Sequence, residues 1–336
     1  MENKVVILGS GSWGTALAAS LSQKGCPLTL WGRDSEVLKG MKEFKENRKY
    51  LPDVVLGDAI VYETDLEKAL SKAETVISAV TSQSFREVMR CAAPFVREAK
   101  IIVNVAKGLE KNSNMRLSQV ASEEIPNLIY TVLSGPSHAE EMGKGLPTTL
   151  VSASLNLEAA ENIQDLFMSD KLRVYTNPDV LGVELGGALK NIIALGAGIS
   201  DGMGYGDNAK AAMMTRGISE ISRLGVKMGA LSSTFFGLSG IGDLIVTCTS
   251  MYSRNRRCGI LIGQGLDPDA AIKQIGMVVE GVYTAEAAYK LARHYGIEMP
   301  ITEQIVRILN KEADAKSAVM SLMSRGKKHE QEDLIS

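Results

Sequence analysis

The sequence predicts an α/β fold, with a doubly wound sheet in the first half of the chain and an all-α second half. Up to about residue 178, short β-branched apolar runs alternate with helix-like segments, which is the pattern of strand–helix–strand units around a parallel sheet. After Asn177-Pro178-Asp179, strand signals nearly vanish and long helical stretches follow. A chain of 336 residues also exceeds one compact core of ordinary size. We therefore expect two domains, residues 1–178 and 179–336.

Short apolar runs in the first half are the predicted strands. They are residues 5–8, 28–31, 76–80, 101–105, 130–133 and 148–151. The runs at 76–80 and 101–105 are typical of buried parallel strands, and the last two continue the series. Helices are expected between them at 65–72, 84–95 and 114–124. Ligands bind at the carboxyl ends of the strands in such a sheet, so the residues that follow each run are candidate site residues.

The second half is predicted from its helical periodicity. Asn208 is the expected N-cap of a helix in which Met214, Ile218, Ile221 and Gly225 fall on one face. Further helices are expected around 269–275, 284–295 and 302–309. The tail from residue 326 onward is short and charged, and we expect it to fray.

Composition is that of an ordinary globular protein, with 45% apolar and 23% charged residues. The 37 Lys and Arg against 39 Asp and Glu give a net charge of −2, so no basic field favours nucleic acid or an anionic membrane. The apolar run before the first glycine is too short for a signal-peptide core, and no apolar stretch approaches the ~18 residues that span a bilayer. We expect a cytoplasmic protein without membrane insertion.

Cysteine and histidine are too scattered to predict a disulfide framework or a metal site. The cysteines are Cys26, Cys91, Cys248 and Cys258. The histidines are His138, His294 and His329. Neither set shows metal-ligand spacing, so we expect no metal and a general acid or base other than a histidine relay.

The segment after the first predicted strand reads Gly9-Ser10-Gly11-Ser12-Trp13-Gly14, and an Ala- and Leu-rich stretch follows it. Strand, Gly-x-Gly-x-x-Gly turn and helix form the context in which a glycine loop cradles a dinucleotide pyrophosphate. Gly9 permits the tight turn, Gly11 lets the backbone approach the phosphates, and Gly14 lets the helix pack against the strand. The helix N-terminus presents free N–H groups to the anion. We expect a Rossmann-type domain that binds NADH or NADPH.

The second predicted strand ends at Trp31-Gly32-Arg33-Asp34, about 20 residues past the loop, where this fold meets the adenosine ribose. An acid there favours the free 2′-hydroxyl of NADH, and an arginine accommodates the 2′-phosphate of NADPH. The chain offers both, with the arginine first, which favours NADPH without excluding NADH. The alternative is that Arg33 and Asp34 only flank and cap the next helix.

Two polar segments follow strands farther along the sheet. Lys107 comes directly after the run 101–105, where a lysine can meet a phosphate or polarise a carbonyl. The alternative is a solvated lysine in a turn. Ser134-Gly135-Pro136-Ser137-His138-Ala139 ends another strand with small residues, which permits close approach of backbone to a ligand. His138 alone is more typical of a structural or surface histidine than of a catalyst.

Lys190 lies in a stretch, residues 185–195, that is otherwise mostly apolar or small. On a helix its neighbours at three and four residues are all glycine or aliphatic, and Glu184 aligns with Asn191 instead. In a buried cleft, desolvation would lower the pKa of Lys190, which suits proton donation to a carbonyl oxygen near neutral pH. The alternative is a lysine whose stem covers apolar surface while its ammonium group stays in water.

Three later motifs contain groups that bind hydroxyls or anions. Gly240-Ile241-Gly242-Asp243 predicts a glycine turn whose carboxylate holds substrate hydroxyls. Ser253-Arg254-Asn255-Arg256-Arg257 concentrates donors suited to a phosphate, and the alternative is a basic helix start on the surface. Val278-Val279-Glu280-Gly281 places an acid after an apolar pair, for which a helix N-terminal charge is the default explanation.

Taken together, the chain resembles the bacterial NAD(P)-dependent glycerol-3-phosphate dehydrogenase family, from the glycine loop to about residue 325. The motifs that carry the resemblance are Gly-Ser-Gly-Ser-Trp-Gly-Thr-Ala, Ala-Lys-Gly-Leu-Glu, Ser-Gly-Pro-Ser, Gly-Gly-Ala-Leu-Lys-Asn, Gly-Ile-Gly-Asp-Leu, Ser-Arg-Asn-Arg-Arg and Val-Val-Glu-Gly. The resemblance implies reversible reduction of dihydroxyacetone phosphate to sn-glycerol 3-phosphate, which supplies glycerophospholipid synthesis. The implied partner is this small phosphorylated substrate, and a homodimer stays open.

By this resemblance Lys190 is the proton donor and acceptor. The residues implied to bind the substrate are Lys107, Gly135, Ser137, Lys190, Asp243, Ser253, Arg254 and Asn255. Those implied to bind the cofactor are Gly9, Gly11, Ser12, Trp13, Gly14, Arg33, Tyr50, Lys107, Ala139, Arg254, Val278 and Glu280. Only a loose Tyr-Leu-Pro context supports Tyr50, and the family varies at the positions of Arg33 and Trp13.

Two other functions fit parts of the sequence. Hydroxyacid dehydrogenases share the two-domain layout, but a carboxylate substrate needs the donor cluster at Ser253-Arg254-Asn255 less than a phosphate does. A cofactor-sensing regulator would bind NADPH without turnover, and it would gain nothing from a desolvated Lys190.

Overall fold

The protein has a sheet-based first half and a helical second half. The computed structural model describes residues 4–96, 101–327 and 329–330. Within them an eight-stranded sheet ends at Asn177, and every element that follows is a helix. The predicted fold class, a doubly wound sheet followed by helices, is confirmed. The end of the tail that we expect to fray, residues 331–336, lies outside the described residues.

The strands in chain order are β1 (Val5–Leu8), β2 (Leu28–Trp31), β3 (Glu46–Asn47), β4 (Leu51–Val55), β5 (Ile60–Glu63), β6 (Thr75–Ser78), β7 (Ile101–Asn104), β8 (Ile129–Ser134), β9 (Thr148–Ala153) and β10 (Leu172–Asn177). The main sheet has the order β10-β9-β8-β7-β6-β1-β2-β5, while β3 and β4 form a separate antiparallel pair.

One predicted strand runs against the parallel series. Neighbours in the main sheet are parallel except β8 and β9, which pair antiparallel with Leu133 opposite Ser152. The prediction that residues 148–151 continue the parallel series is therefore wrong. The only helix between the two strands is five residues long (Ala139–Gly143), which is short for a crossover that returns the chain to the opposite end of the sheet.

The helices are α1 (Ser12–Gln23), α2 (Ser35–Phe44), α3 (Leu66–Leu70), α4 (Ser82–Ala92), α5 (Leu117–Glu124), α6 (Ala139–Gly143), α7 (Leu157–Phe167), α8 (Val180–Gly202), α9 (Asp207–Lys227), α10 (Ser232–Phe235), α11 (Asp243–Thr249), α12 (Arg254–Gly263), α13 (Pro268–Ile275), α14 (Glu280–Tyr295), α15 (Pro300–Leu309) and α16 (Ala315–Met323). The predicted cap Asn208 is wrong, because α9 begins at Asp207 after the N-cap Gly206. Asp207 in the first turn complements the positive end of the helix dipole. Ile218, Ile221 and Gly225 of the predicted face are buried.

Helices cover both faces of the sheet, which is why its central strands are short apolar runs. In β1, Ile7 packs in the cluster that contains Leu17 of α1. Its neighbours Val6 and Leu8 point the other way, into the cluster that contains Phe85 of α4.

Helix α8 is the core of the second half. By length and composition alone it could cross a membrane, but 94% of its apolar stretch is buried inside the protein, as in the core helix of a compact domain. A bent combination, Ser232–Thr249 with Arg254–Gly263, passes the same composition test.

Helices α8 and α12 pack backbone against backbone through reciprocal glycines. A Cβ at Gly198 of α8 would lie 2.1 Å from the carbonyl oxygen of Arg256. A Cβ at Gly259 of α12 would lie 2.1 Å from the carbonyl oxygen of Leu195. A second glycine, one turn further along each helix, repeats the contact. The separation of the two helices is therefore set by main-chain atoms, and glycine is required at each crossing point.

Candidate functional site

The glycine loop joins β1 to α1, and each glycine has a distinct steric reason. Gly9 has φ of +118°, and a Cβ there would lie 2.8 Å from the carbonyl oxygen of Ala79. A Cβ at Gly14 would lie 1.9 Å from the carbonyl oxygen of Gly9, so α1 packs directly on the loop. A Cβ at Gly11 would meet nothing within 4 Å, which leaves open space before the helix N-terminus. This open cradle fits a dinucleotide pyrophosphate.

Most of the other predicted cofactor residues lie at or shortly before the starts of helices. The Ser12 hydroxyl donates to the carbonyl oxygen of Tyr50 at 2.6 Å, which brings that segment to the start of α1. Trp13 is half-buried, and its indole N–H has no hydrogen-bond partner among the described residues. Ala139 is the buried first residue of α6. Val278 directly precedes the N-cap of α14.

At the end of β2 the two candidate ribose residues have different roles. Asp34 is the N-cap of α2, and its carboxylate accepts from the N–H groups of Glu36 and Val37. These backbone hydrogen bonds, that from Val37 above all, lower the pKa of Asp34. Arg33 is half-exposed and pairs with Glu87 at 3.3 Å. Asp34 is thus engaged in the helix cap, whereas the observed ionic partner of Arg33 is the side chain of Glu87.

Lys107, directly after β7, points into the protein. Its ammonium group donates to the Gly135 carbonyl oxygen at 2.8 Å and to the Ser137 hydroxyl at 3.4 Å. It also pairs with a carboxylate oxygen of Asp243 at 2.8 Å. Only 18% of the side chain is exposed, so Lys107 is not a solvated turn residue.

Lys190 is buried in α8, with 5% of its surface exposed. Its ammonium group donates to the Thr247 hydroxyl at 2.7 Å and pairs with the Asp243 carboxylate. Burial lowers the pKa of Lys190 to about 7, the nearby charge of Lys107 lowers it as well, and Asp243 partly offsets both. Helix α8 indeed supplies no acid that neutralises Lys190. The acid comes from α11 instead.

Asp243 joins the two lysines. One carboxylate oxygen meets Lys190 and the other meets Lys107, and only 1% of the residue is exposed. The five residues before it form a π-helical turn rather than the predicted simple glycine turn. The reason is close packing, because a Cβ at Gly240 would lie 2.1 Å from the carbonyl oxygen of Phe235.

An amide relay behind the lysines ties four elements together. The side chain of Asn191 donates to the Lys107 carbonyl oxygen at 3.1 Å, and that of Asn255 donates to the Asn191 amide oxygen at 3.0 Å. The N–H of Gly281 donates to the Asn255 amide oxygen at 2.8 Å. The sequence predicts Asn255 but not Asn191, although Asn191 directly follows Lys190.

The donor cluster at the start of α12 is partly buried. Ser253 is the N-cap, and its hydroxyl oxygen accepts from the N–H of Arg256 at 3.2 Å. The Arg256 guanidinium is held by Asp201 at 2.8 Å. Burial lowers the pKa of Arg254, and the charge of Glu280 opposes this. Within the cluster, Arg254 thus interacts with the charge of Glu280, whereas Arg256 is turned toward Asp201.

Glu280 links the two halves of the chain. It is the first residue of α14, which agrees with the helix N-terminal explanation. Its carboxylate also accepts from the N–H of Ser82 at 3.1 Å and from the Ser82 hydroxyl, at the start of α4. Gly108 packs beside it, since a Cβ there would lie 2.8 Å from a carboxylate oxygen of Glu280. Burial raises the pKa of Glu280.

His138 lies close enough to Lys190 and Lys107 for their charges to add to the lowering of its pKa by burial, and its Nε2 atom lies 3.5 Å from the carbonyl oxygen of Val246. It is the N-cap residue of α6, and its ring centroid lies 5.8 Å from that of Tyr252. Burial lowers the pKa of His138 to about 4, so the ring is neutral at pH 7. Among the described residues, no group of three or more His, Cys, Asp or Glu side chains is arranged to hold a metal ion.

A glycine-loop cradle on a doubly wound sheet, joined to a helical half that buries a Lys–Asp pair at the sheet edge, defines the class of nicotinamide-dependent dehydrogenases. Within that class the family is shown by sequence. The profile described as NAD-dependent glycerol-3-phosphate dehydrogenase N-terminus matches residues 4–160, and the C-terminus profile matches residues 179–320. The chain belongs to this family, which confirms the resemblance.

Individual relatives agree over nearly the whole chain. A protein named glycerol-3-phosphate dehydrogenase [NAD(P)+] from Pelotomaculum thermopropionicum is 56% identical over 337 residues, covering 99% of this chain and 97% of its own. The Bacillus subtilis protein of the same name is 51% identical over 336 residues, with the same coverage. The crystal structure of glycerol-3-phosphate dehydrogenase from Coxiella burnetii has a TM-score of 0.93 at 38% identity, covering 96% of this chain and 99% of its own.

Proposed function

We propose that the chain catalyses the reversible, NAD(P)H-dependent reduction of dihydroxyacetone phosphate to sn-glycerol 3-phosphate, with Lys190 as proton donor and acceptor. The observation that carries the proposal is the Lys190 ammonium group, buried beside Asp243 with a pKa of about 7, at the sheet edge that also holds the glycine loop. The product supplies the backbone of glycerophospholipids. In this proposal residues 1–178 hold the cofactor and residues 179–336 complete the catalytic site.

The chemistry needs one hydride and one proton. When bound, the reduced nicotinamide supplies the hydride to the carbonyl carbon. Lys190 donates its proton to the carbonyl oxygen, so a C–H and an O–H bond form as the C=O π bond breaks. In the reverse direction neutral Lys190 takes the hydroxyl proton. A pKa of about 7 lets the same amine work both ways near neutral pH.

Asp243 and Lys107 position the reacting groups. Asp243 fixes the Lys190 ammonium group together with Thr247, so the proton donor has little rotational freedom. Lys107 presents a second positive charge beside Gly135 and Ser137, where a ketone or hydroxyl oxygen would be bound. Such positioning turns an encounter of separate groups into an intramolecular step.

The substrate phosphate is assigned to the start of α12. Ser253, Arg254 and Asn255 lie there with the free N–H groups of a helix N-terminus, which is a ready anion site. A guanidinium binds two oxygens of a phosphate or of a carboxylate, but the serine hydroxyl, the amide and the helix N-terminus add donors that the third oxygen of a phosphate can use. This assignment separates the proposal from a hydroxyacid dehydrogenase.

The cofactor lies along the glycine loop, with Ser12, Trp13, Tyr50, Ala139, Val278 and Glu280 as further contacts. We propose NADPH as the favoured form because Arg33 follows β2 while Asp34 is committed to capping α2. In Arg33→Ala, KM for NADPH should rise about tenfold, the loss of one charge-assisted contact, while KM for NADH stays within about twofold. Steady-state kinetics with both cofactors decide this, and an equal change for both would contradict it.

The test of the function is a substrate panel. Purified protein should consume reduced nicotinamide with dihydroxyacetone phosphate, and far more slowly with unphosphorylated dihydroxyacetone or a keto acid of similar size. Lys190→Ala should lower turnover about 10³-fold, while the control Lys290→Ala, at an exposed lysine on α14, should leave it unchanged. Equal turnover of the keto acid would overturn the phosphate assignment, and near-wild-type turnover in Lys190→Ala would overturn the role of Lys190.

A cytoplasmic location and a homodimer belong to the same proposal. Cell fractionation and light scattering of the purified protein test them directly.

A further inference from the structure

Helix α8 carries a second buried charge besides Lys190. Glu184 lies six residues earlier, with 5% of its side chain exposed, and it makes no contact with the lysine pair. Six residues of α-helix correspond to about 9 Å along the axis and about a third of a turn in direction. The two side chains therefore project from the same helix toward different neighbours.

The Glu184 carboxylate accepts hydrogen bonds from four donors. One oxygen accepts from the N–H of Ser118 and the hydroxyl of Tyr130, both at 2.8 Å. The other accepts from the guanidinium of Arg116 at 2.8 Å and the hydroxyl of Ser118 at 2.6 Å. Arg116 and Ser118 lie at the start of α5 and Tyr130 in β8, so all the donors come from the sheet-based half.

The surface of α8 that meets the sheet also carries apolar contacts, with Val180 and Val183 packed in one buried cluster with Val132 and Val151, but such contacts have no preferred direction. A Cβ at Gly187 would lie 2.9 Å from the Ser134 hydroxyl at the end of β8, so the contact there is smooth backbone. The other directional bond from this region is that of Asn191 to the Lys107 carbonyl oxygen, inside the site. A well-packed apolar side chain at position 184 would stabilise the fold about as well as a buried ion pair does. Four directional bonds instead specify one rotation and one height of the helix.

We propose that Glu184 is a positioning residue. The four hydrogen bonds to its carboxylate from Arg116, Ser118 and Tyr130, called the clasp below, set the rotation of α8 against the cofactor-binding sheet. This rotation in turn directs Lys190 toward the substrate carbonyl. The inference rests on the proposed function. It assigns to Arg116, Ser118 and Tyr130 a role in catalysis that acts only through Lys190.

The main test is Glu184→Gln, which keeps the shape but turns one acceptor oxygen into a donor. Because a misplacement of about 1 Å costs up to about 100-fold, kcat should fall about 10- to 100-fold while the cofactor Kd and the substrate KM stay within about threefold. The primary isotope effect with deuterated cofactor should increase, since hydride transfer becomes more rate-limiting. Glu220→Gln is the matched control, because Glu220 is a buried carboxylate of the same half that accepts hydrogen bonds from the start of α15, away from the sheet.

A double-mutant cycle separates positioning from general damage. If Glu184 acts through Lys190, then Glu184→Gln in the Lys190→Ala background should slow the residual reaction no further. Multiplied losses would overturn the inference, as would wild-type kcat in folded Glu184→Gln, or an equal kcat loss in Glu220→Gln.

A second variant, Tyr130→Phe, serves if Glu184→Gln fails to fold. It removes one donor and should lower kcat about threefold or more, again without changing the cofactor Kd. An unchanged kcat in Tyr130→Phe would overturn the inference. A wild-type protein that does not reduce dihydroxyacetone phosphate overturns the proposed function itself, whereas an active wild type with an equally active Glu184→Gln overturns only the clasp.

Discussion

Lys190 and Glu220 are both buried charged side chains on core helices, and burial moves the pKa of each to about 7. Their contacts differ. Lys190 meets two side chains, Asp243 and Thr247, at the edge of the sheet. Glu220 accepts from the N–H groups of Ile301 and Thr302 at the start of α15, at 2.7 Å and 3.3 Å.

The difference shows that burial is enough to shift a pKa, whereas the neighbouring groups determine whether the residue has a structural or a chemical role. The oxygens of Glu220 are occupied by the end of a helix, so its proton has a structural role. The amine of Lys190 lies instead beside another ionisable side chain, Asp243, which also pairs with Lys107. Variants at the two positions should therefore separate activity from stability.

The largest expected effect is the loss of turnover in Lys190→Met. Removal of a general acid costs about 10²- to 10⁴-fold in rate, and we expect about 10³-fold here. The lowered pKa means that the charged amine is less favourable in the folded protein than in water, so the thermal midpoint at pH 7 should not fall. Enzyme assays and calorimetry on the same preparation check both. A large drop in the midpoint would make Lys190 a structural residue like Glu220.

A smaller effect is expected on the pH dependence of stability. The folded state holds the Glu220 proton up to a pKa of about 7, whereas the unfolded chain releases it near the ordinary value of 4.5. The folded state then binds more protons in this window, so the free energy of unfolding falls as pH rises from 4.5 to 7, by up to about 3 kcal/mol. Urea unfolding at several pH values should show this fall, and Glu220→Gln should flatten it with kcat unchanged. Identical slopes in both proteins would contradict the assignment.

The smallest effect is a tenfold change per pH unit in kcat/KM. Reduction needs the protonated amine of Lys190, so its kcat/KM should fall as pH rises above about 7, and oxidation should rise through the same range. Asp243 raises the pKa of Lys190, so in Asp243→Asn the fall of kcat/KM for reduction should begin at a lower pH. If the fall begins at the same pH in this variant, the titration belongs to another group.

The parts of the site that could be predicted are those whose reason is local. The roles of Gly9, Gly11 and Gly14 follow from one turn, and the isolation of Lys190 is visible in its own helix. The clasp on Glu184 was not predictable, because its donors lie 54 to 68 residues away and are brought together by packing alone. Asn191 was missed for the same reason, since its partners lie 64 and 84 residues away.

The fold likewise has parts that follow from local sequence and parts that depend on distant contacts. The central strands of the sheet are apolar on both faces and are predicted, whereas the two edge strands are not: β10 alternates buried with exposed residues, and β5 is buried only at Ile60. The antiparallel pairing of β9 depends on which strand it meets, and no local pattern contains that information. The feature that indicates the antiparallel pairing is the connection between β8 and β9, whose helix is short for a crossover.

The glycine contacts between α8 and α12 fix the distance between two parts of the proposed site. One helix carries the proposed proton donor and the other begins with the proposed phosphate site, and their spacing is held by carbonyl oxygens that would lie about 2 Å from any added Cβ. A side chain in place of any of these glycines would force the helices apart, so the distance cannot change without loss of their packing. A phosphorylated ketone with one more carbon between its carbonyl and its phosphate would therefore be rejected by the backbone, and widening the choice of substrates would require these helices to be redesigned as a pair.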